Sequence, residues 1–206
     1  MEFTGFNQDD FEVFSINGLD ERMDALKERI RPKLSSLGEY FAPTLSLLTN
    51  DEMFVHVAKH ARRTINPPND TWVAFAANPR GYKMLPHFQI GLWKTHLFIW
   101  FAVIYECPQK QHVGNTLEKH VDNLYEEIPS NFSWSGDHTK PDAIQHGQLS
   151  KKELLALFQR LQTVKKSEIL CGLHLDRDEV IRMGPSKLLL EIENVFRKIV
   201  PVYKLS

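Results

Sequence analysis

Basic and aromatic side chains crowd one stretch of this chain. Lys59, Arg62, Arg63, Arg80, Lys83 and Lys94 fall within residues 51–100, with His56, His60, His87, His96, Trp72 and Trp93 interleaved. Guanidinium and ammonium groups hold oxyanions through charge-assisted hydrogen bonds, and indole faces stack on bases. The chemistry this suits is capture of a phosphate-bearing ligand, a nucleotide or a single nucleic-acid strand. In that reading Arg62, Arg63 and Lys83 hold the anion, His87 and Gln89 orient it, and Trp72 and Trp93 stack. A solvated helix end followed by a loop tip would leave the same composition.

Two further arrangements carry possible chemistry. Glu52, His56 and His60 stand four apart, one face of a helix, and such a set could hold a divalent metal. The stretch lacks the His-Glu-x-x-His order that places a general base beside the ion. Ordinary side-chain pairs on a surface helix explain the spacing equally well. A hydrolase or transferase using His87, or a metal at His56 and His60, is therefore the alternative to a binding protein. A protein–protein adaptor is a third possibility, and it would show as an exposed apolar patch. Cys171 and His174 are three apart in a strand pattern, which puts them on opposite faces and leaves the thiol without a base. The chain has no P-loop, no Gly-x-Gly-x-x-Gly, no Gly-x-Ser-x-Gly and no Cys-x-x-Cys, so no cofactor is expected.

The elements that must position these groups belong to a chain of 206 residues, with 25 Lys+Arg against 26 Asp+Glu, 42% hydrophobic and 25% charged. That composition excludes disorder, collagen and coiled coil, and a net charge of −1 gives no overall steering toward nucleic acid or anionic lipid. The near-neutral total hides an uneven distribution: residues 51–100 carry six basic and three acidic groups. Two cysteines are too few for a disulfide framework. The N-terminus lacks a basic and an apolar segment in tandem, and the longest apolar run, residues 97–105, is far short of the ~20 residues that span a bilayer. A cytoplasmic protein that does not cross a membrane is expected.

Residues 11–14 read as a short strand. Leu19, Met23, Leu26, Ile30, Leu34, Leu37 and Phe41 form a helical stripe, with a kink near Arg31 from Pro32 and an end at Pro43. Thr49-Asn50-Asp51-Glu52 has capping-box spacing and predicts a helix to about Arg63. Residues 66–70 break the chain. Residues 71–77, 82–93 and 96–106 read as three strands, the first pair joined by a type I turn at Asn78-Pro79-Arg80-Gly81. Pairing Trp93 with His96 sets Phe88 opposite Phe101 and Ile90 opposite Ile99. The first turn sets Phe75 opposite Met84. One face of this sheet is then Val73, Phe75, Ala77, Tyr82, Met84, Phe88, Ile90, Leu92, Leu97, Ile99 and Phe101. The other mixes Trp72, His87, Gln89, Trp93, His96 and Trp100 with Ala74, Ala76 and Gly91. These small residues leave room either for a ligand or for closely packed helices. The third strand, apolar on both sides, should be central. A helical stripe follows at 113–128, then a short strand around Phe132 and Trp134. A capped helix begins at Ser150, a strand covers 168–176, and helices cover 177–183 and 186–202. No residue-level repeat links the two halves.

Several strings have a familiar look: Asp10-Phe11-Glu12-Val13-Phe14 with Gly18-Leu19-Asp20, Phe41-Ala42-Pro43, and His56 to Thr64. So do Asn66-Pro67-Pro68-Asn69-Asp70-Thr71-Trp72 and Arg80 to Gly91. Together the chain resembles the YktB-like family of uncharacterised proteins from Bacillus-type Gram-positive bacteria, over nearly its whole length. The resemblance implies a cytosolic bacterial protein of mixed α+β fold, and it brings no activity, catalytic residue or cofactor. The fold expected is α+β, a single domain over residues 1–206, with a largely antiparallel sheet and helices packed against it.

Overall fold

A computed structural model describes residues 2–206. Helix α1 spans Gln8–Glu12, and a 3-10 turn follows at Val13–Ser15. A strand was predicted here. The Asn7 side chain accepts from the Asp10 N–H, and the Asp10 carboxylate accepts from the Asn7 N–H, at 3.1 and 2.8 Å. That reciprocal cap starts a helical turn and overrides the strand preference of Phe and Val.

Helix α2 (Leu19–Ala25), a π-helical turn (Leu26–Ile30) and α3 (Arg31–Thr49) carry the predicted stripe. Where a kink is predicted near Arg31, the chain stays helical and its bonding changes from π to α. Pro32 lies just past this π turn, so its missing N–H falls at the junction where π-helical bonding gives way to α-helical bonding. Pro43 does not end the helix. Leu37, Phe41 and Leu45 on the same stripe are fully buried, and their burial outweighs the ~3 kcal/mol of an internal proline. The helix stops at Asn50, which takes the left-handed conformation at φ 69°.

The helix predicted from Thr49 to Arg63 is instead a strand, β1 (Phe54–Val57). Thr49 is the last residue of α3, and its hydroxyl turns back to the Leu45 carbonyl at 2.8 Å. Val55 and Val57, both β-branched, sit in a ladder against β2 (Asp70–Ala76), with His56 opposite Ala74. Next come β3 (His87–Trp93) and β4 (His96–Val103), in the predicted register: Phe88 faces Phe101 and Ile90 faces Ile99. The β2–β3 register differs from prediction, because Phe75 faces Phe88 rather than Met84. Tyr82–Met84 is a 3-10 turn within a long connection, not part of a strand. The slip is even-numbered, so side chains keep their faces. Ala77 and Met84, predicted core residues, are exposed, and Tyr82 is half-buried.

Helices α4 (Lys110–Lys119) and α5 (Val121–Glu127) replace one predicted helix. His120 divides them, its ring nitrogen bonded to the Thr116 carbonyl at 2.8 Å. Strands β5 (Ser133–Ser135) and β6 (Ile144–Gln145) precede α6 (Lys151–Thr163), which opens on the predicted capping box at Ser150. Strand β7 (Ile169–Asp176), α7 (Arg177–Met183) and α8 (Pro185–Lys204) complete the chain. The α+β architecture is as predicted: an antiparallel sheet of order β1-β2-β3-β4-β7-β5-β6 with helices against it, and β4 in the centre, buried throughout.

Helices α3 and α8 lie on one face of the sheet, where Phe41, Phe75 and Phe88 meet Phe196 edge to face. The other face holds a second apolar cluster of Trp93, Phe98, Trp100, Ala102, Ile104 and Leu170, with Trp72 and Ala143 against it. The room predicted over Gly91 is occupied: a Cβ there would lie 2.2 Å from the Phe98 ring. Among the described residues no helix is long and apolar enough to cross a membrane.

Candidate functional site

The segment between β1 and β2 carries the basic residues, and two arginines from the helices fasten it. Arg22 is buried and donates to the Ile16 carbonyl at 2.8 Å and the Pro68 carbonyl at 2.9 Å. Arg31 donates to the Lys59 carbonyl at 2.7 Å. His60, in the left-handed region at φ 51°, bonds Thr71 Oγ1 at 3.1 Å and meets the Trp72 ring edge to face. Opposite, Gly81 adopts φ 69° and turns the chain into the 3-10 turn that carries Tyr82 and Lys83. The Trp72 indole N–H donates to the Tyr82 hydroxyl at 2.9 Å and joins the two walls.

Between these walls lies a cleft of about 530 Å³, lined by Lys59, His60, Arg62, Arg63, Trp72, Tyr82, Lys83 and Glu106 among others. Four cations share it with one carboxylate. Lys83 lies 3.8 Å from Glu106, and Arg63 donates weakly to the Asn66 carbonyl at 3.4 Å. The charged ends of Lys59 and Arg62 have no hydrogen-bond or ion-pair partner among the described residues, and both residues are exposed. Burial, helped by the charge of Arg63, pushes the His60 imidazole down to about 4, so it is neutral at pH 7. Burial pushes the Tyr82 phenol up to about 12, which keeps its proton in place. Asp70, at the start of β2, is buried, and burial drives its carboxyl up to about 6 against the pull of His138, Arg63 and Lys83.

The structure brings together four of the seven predicted site residues, Arg62, Arg63, Trp72 and Lys83, and separates the other three. His87 is fully buried beneath the cleft. Its Nδ1–H donates to the Leu85 carbonyl at 2.7 Å, and its Nε2 accepts from the Gln89 amide at 2.8 Å. Both ring nitrogens are thus engaged, and burial lowers the ring to about 4. Gln89 is spent on that bond. Trp93 belongs to the second apolar cluster, near His96. Sheet face alone groups the three with the basic residues; strand direction and the Tyr82 ring, 5.1 Å above His87, divide them. The helical premise for the Glu52, His56 and His60 metal set is lost with the helix. His56 bonds the Asn78 carbonyl at 3.0 Å, apart from His60 on Thr71. Cys171 lies in the main core and His174 against Trp100 on the opposite face, as strand alternation predicts.

Tyr82, on the cleft wall, is a site residue that the sequence reading does not anticipate. A tight turn at Asn78–Gly81 would place Tyr82 in the core; the longer connection brings it to the cleft instead. A second cleft, of about 750 Å³, is lined from residues 134–144 and by Tyr105, Arg160, Lys166 and Glu168. Residues 130–148 carry no periodicity, and nothing local in the sequence marks them.

The fold and cleft define a class: an antiparallel α+β protein with a cationic, aromatic-walled cleft at the β1–β2 side of its sheet. The chain belongs to the family described as Domain of unknown function (DUF1054), whose model matches residues 6–203. It is 57% identical to a UPF0637 protein of Bacillus licheniformis, over 100% of this chain and 98% of the relative. A UPF0637 protein of Bacillus velezensis is 56% identical over 98% of this chain and 96% of the relative. One from Bacillus cereus is 51% identical over 100% and 99%. The uncharacterised Bacillus-type family expected from the sequence is the one found.

Proposed function

We propose that this protein is a cytoplasmic binding protein for a small phosphate-bearing anion or nucleotide, held in the cleft of Arg62, Arg63, Lys59 and Lys83. The observation that carries the reading is the convergence of four cations, two without partners among the described residues, on an aromatic wall in a chain whose net charge is −1. Oxyanion oxygens would accept from the guanidinium groups, and a base would lie on Trp72. Charge-assisted hydrogen bonds contribute about 1.5–3 kcal/mol each, so removing one cation costs roughly tenfold or more in affinity.

The test is a thermal-shift and calorimetric titration with pyrophosphate, AMP, ATP and a short single-stranded oligonucleotide. A nucleotide or pyrophosphate should raise the melting temperature, less so at high salt. Arg63→Ala and Lys83→Ala should each weaken binding about tenfold. If only the oligonucleotide binds, the ligand is a strand and not a small molecule. If nothing in the panel shifts the parent, and the variants melt as it does, the reading fails.

A further inference from the structure

Strand β5 pairs with β7 so that Ser133 faces Gly172 and Ser135 faces Leu170. Continuing that register by two residues sets Asp137 opposite Glu168. His138 follows Asp137, so three metal-ligating side chains meet where two strands end. One donor atom from each of Asp137, His138 and Glu168 lies within 4.8 Å of the others.

We propose that Asp137, His138 and Glu168 form a binding site for a divalent transition-metal ion such as Zn²⁺ or Mn²⁺. One imidazole and two carboxylates are a donor set suited to such ions. The groups around the donors hold them in place. Thr139 donates to Asp137 Oδ1 from its N–H at 2.9 Å and its hydroxyl at 2.6 Å, leaving the other oxygen toward solvent and Lys140. The Glu168 side chain is 3% exposed and accepts from the Tyr105 N–H at 3.2 Å and the His138 N–H at 2.7 Å. Backbone donors that orient a ligating carboxylate are what a preformed site requires. The Nδ1 of His138 lies 2.8 Å from Glu168, a contact that an ion coordinated by both would replace.

The three donors open on the 750 Å³ cleft, whose wall also carries Arg160 and Lys166. Three protein ligands leave coordination positions free, and those two cations favour an oxyanion at one of them. This site is separate from the Arg62–Lys83 cleft. Tyr105 lines one and Glu106 the other, so they flank one short stretch of chain.

The test uses full-length protein without an affinity tag, stripped with chelator and titrated with Zn²⁺, Mn²⁺ and Co²⁺. One equivalent should bind, and Co²⁺ should give visible absorption bands of a protein-bound ion. His138→Ala and Asp137→Asn alter loop residues, and each should weaken binding at least tenfold while circular dichroism stays as in the parent. Glu168→Gln keeps an acceptor for Tyr105 and should also lose the ion. Inorganic phosphate added to the cobalt-loaded parent should change the spectrum, and should not do so in Arg160→Ala/Lys166→Ala, which still binds metal. Absence of a one-equivalent site, or equal affinity in parent and variants, would overturn the metal site. An unchanged spectrum with phosphate would overturn the oxyanion position alone. Neither result touches the Arg62–Lys83 reading, which is tested without metal.

Discussion

Asp70 shows what a single buried carboxyl does here. Its native pKa of about 6 stands above the ordinary 3.8. Between those values the folded chain binds more protons than the unfolded one, so this group's contribution to stability falls as pH rises through the window. Above pH 6 the full desolvation cost is present. Asp70→Asn should therefore stabilise the protein at pH 8, on the order of 2 kcal/mol, and change little near pH 4. Urea denaturation at the two pH values checks this; an equal effect at both would contradict it. His87 is the opposite lesson. Its residue type and sheet face suggested an orienting or catalytic group, but both nitrogens are bonded and the side chain is fully covered.

At the scale of elements, the cleft depends on Arg22 and Arg31, which reach from α2 and α3 to the segment between β1 and β2. Arg22→Met keeps most of the buried stem but leaves the Ile16 and Pro68 carbonyls without their donor. A loss of about 2 kcal/mol is expected, together with weaker anion binding, because Lys59, Arg62 and Arg63 ride on that segment. Chemical denaturation and the nucleotide titration measure the two effects; a variant as stable as the parent would exclude the clamp. The element errors have a common origin. The spacing at Thr49–Glu52 satisfies a helix start, yet α3 runs through to Thr49 and its left-handed cap at Asn50 uses up the signal. Likewise Asn78–Gly81 has the residues of a tight turn, but the chain adds a 3-10 turn before re-entering the sheet at His87.

Across the whole molecule, four histidines titrate low. Burial holds His60, His87 and His96 at about 4 and His174 at about 3, the last pair with rings 4.0 Å apart. Unfolded histidines titrate near 6.5. From pH 6.5 down to about 4 the unfolded chain therefore takes up protons that the native chain refuses, and stability falls as pH falls. Asp70 acts in the other direction over part of that range, but one group does not offset four. The urea midpoint should drop steadily between pH 6.5 and 4, and a flat profile would show that these rings are hydrated in the native state.

Local pattern was enough for the α+β class, the β3–β4 register, the capped helix at Ser150, the face assignment along β2–β4 and the basic stretch holding Arg62, Arg63 and Lys83. Each is a property of period, cap or charge within a short window, where the physics is local. Tertiary structure alone decided three things. It closed the basic loop against Tyr82 and took His87, Gln89 and Trp93 out of the cleft. It converted a helix signal into β1, because strand pairing satisfies backbone groups from a distant segment. It also set Asp137 and His138 beside Glu168, thirty residues on, through the β5–β7 register. Such contacts are fixed by burial and ladder pairing between remote segments, and no window of sequence contains both partners.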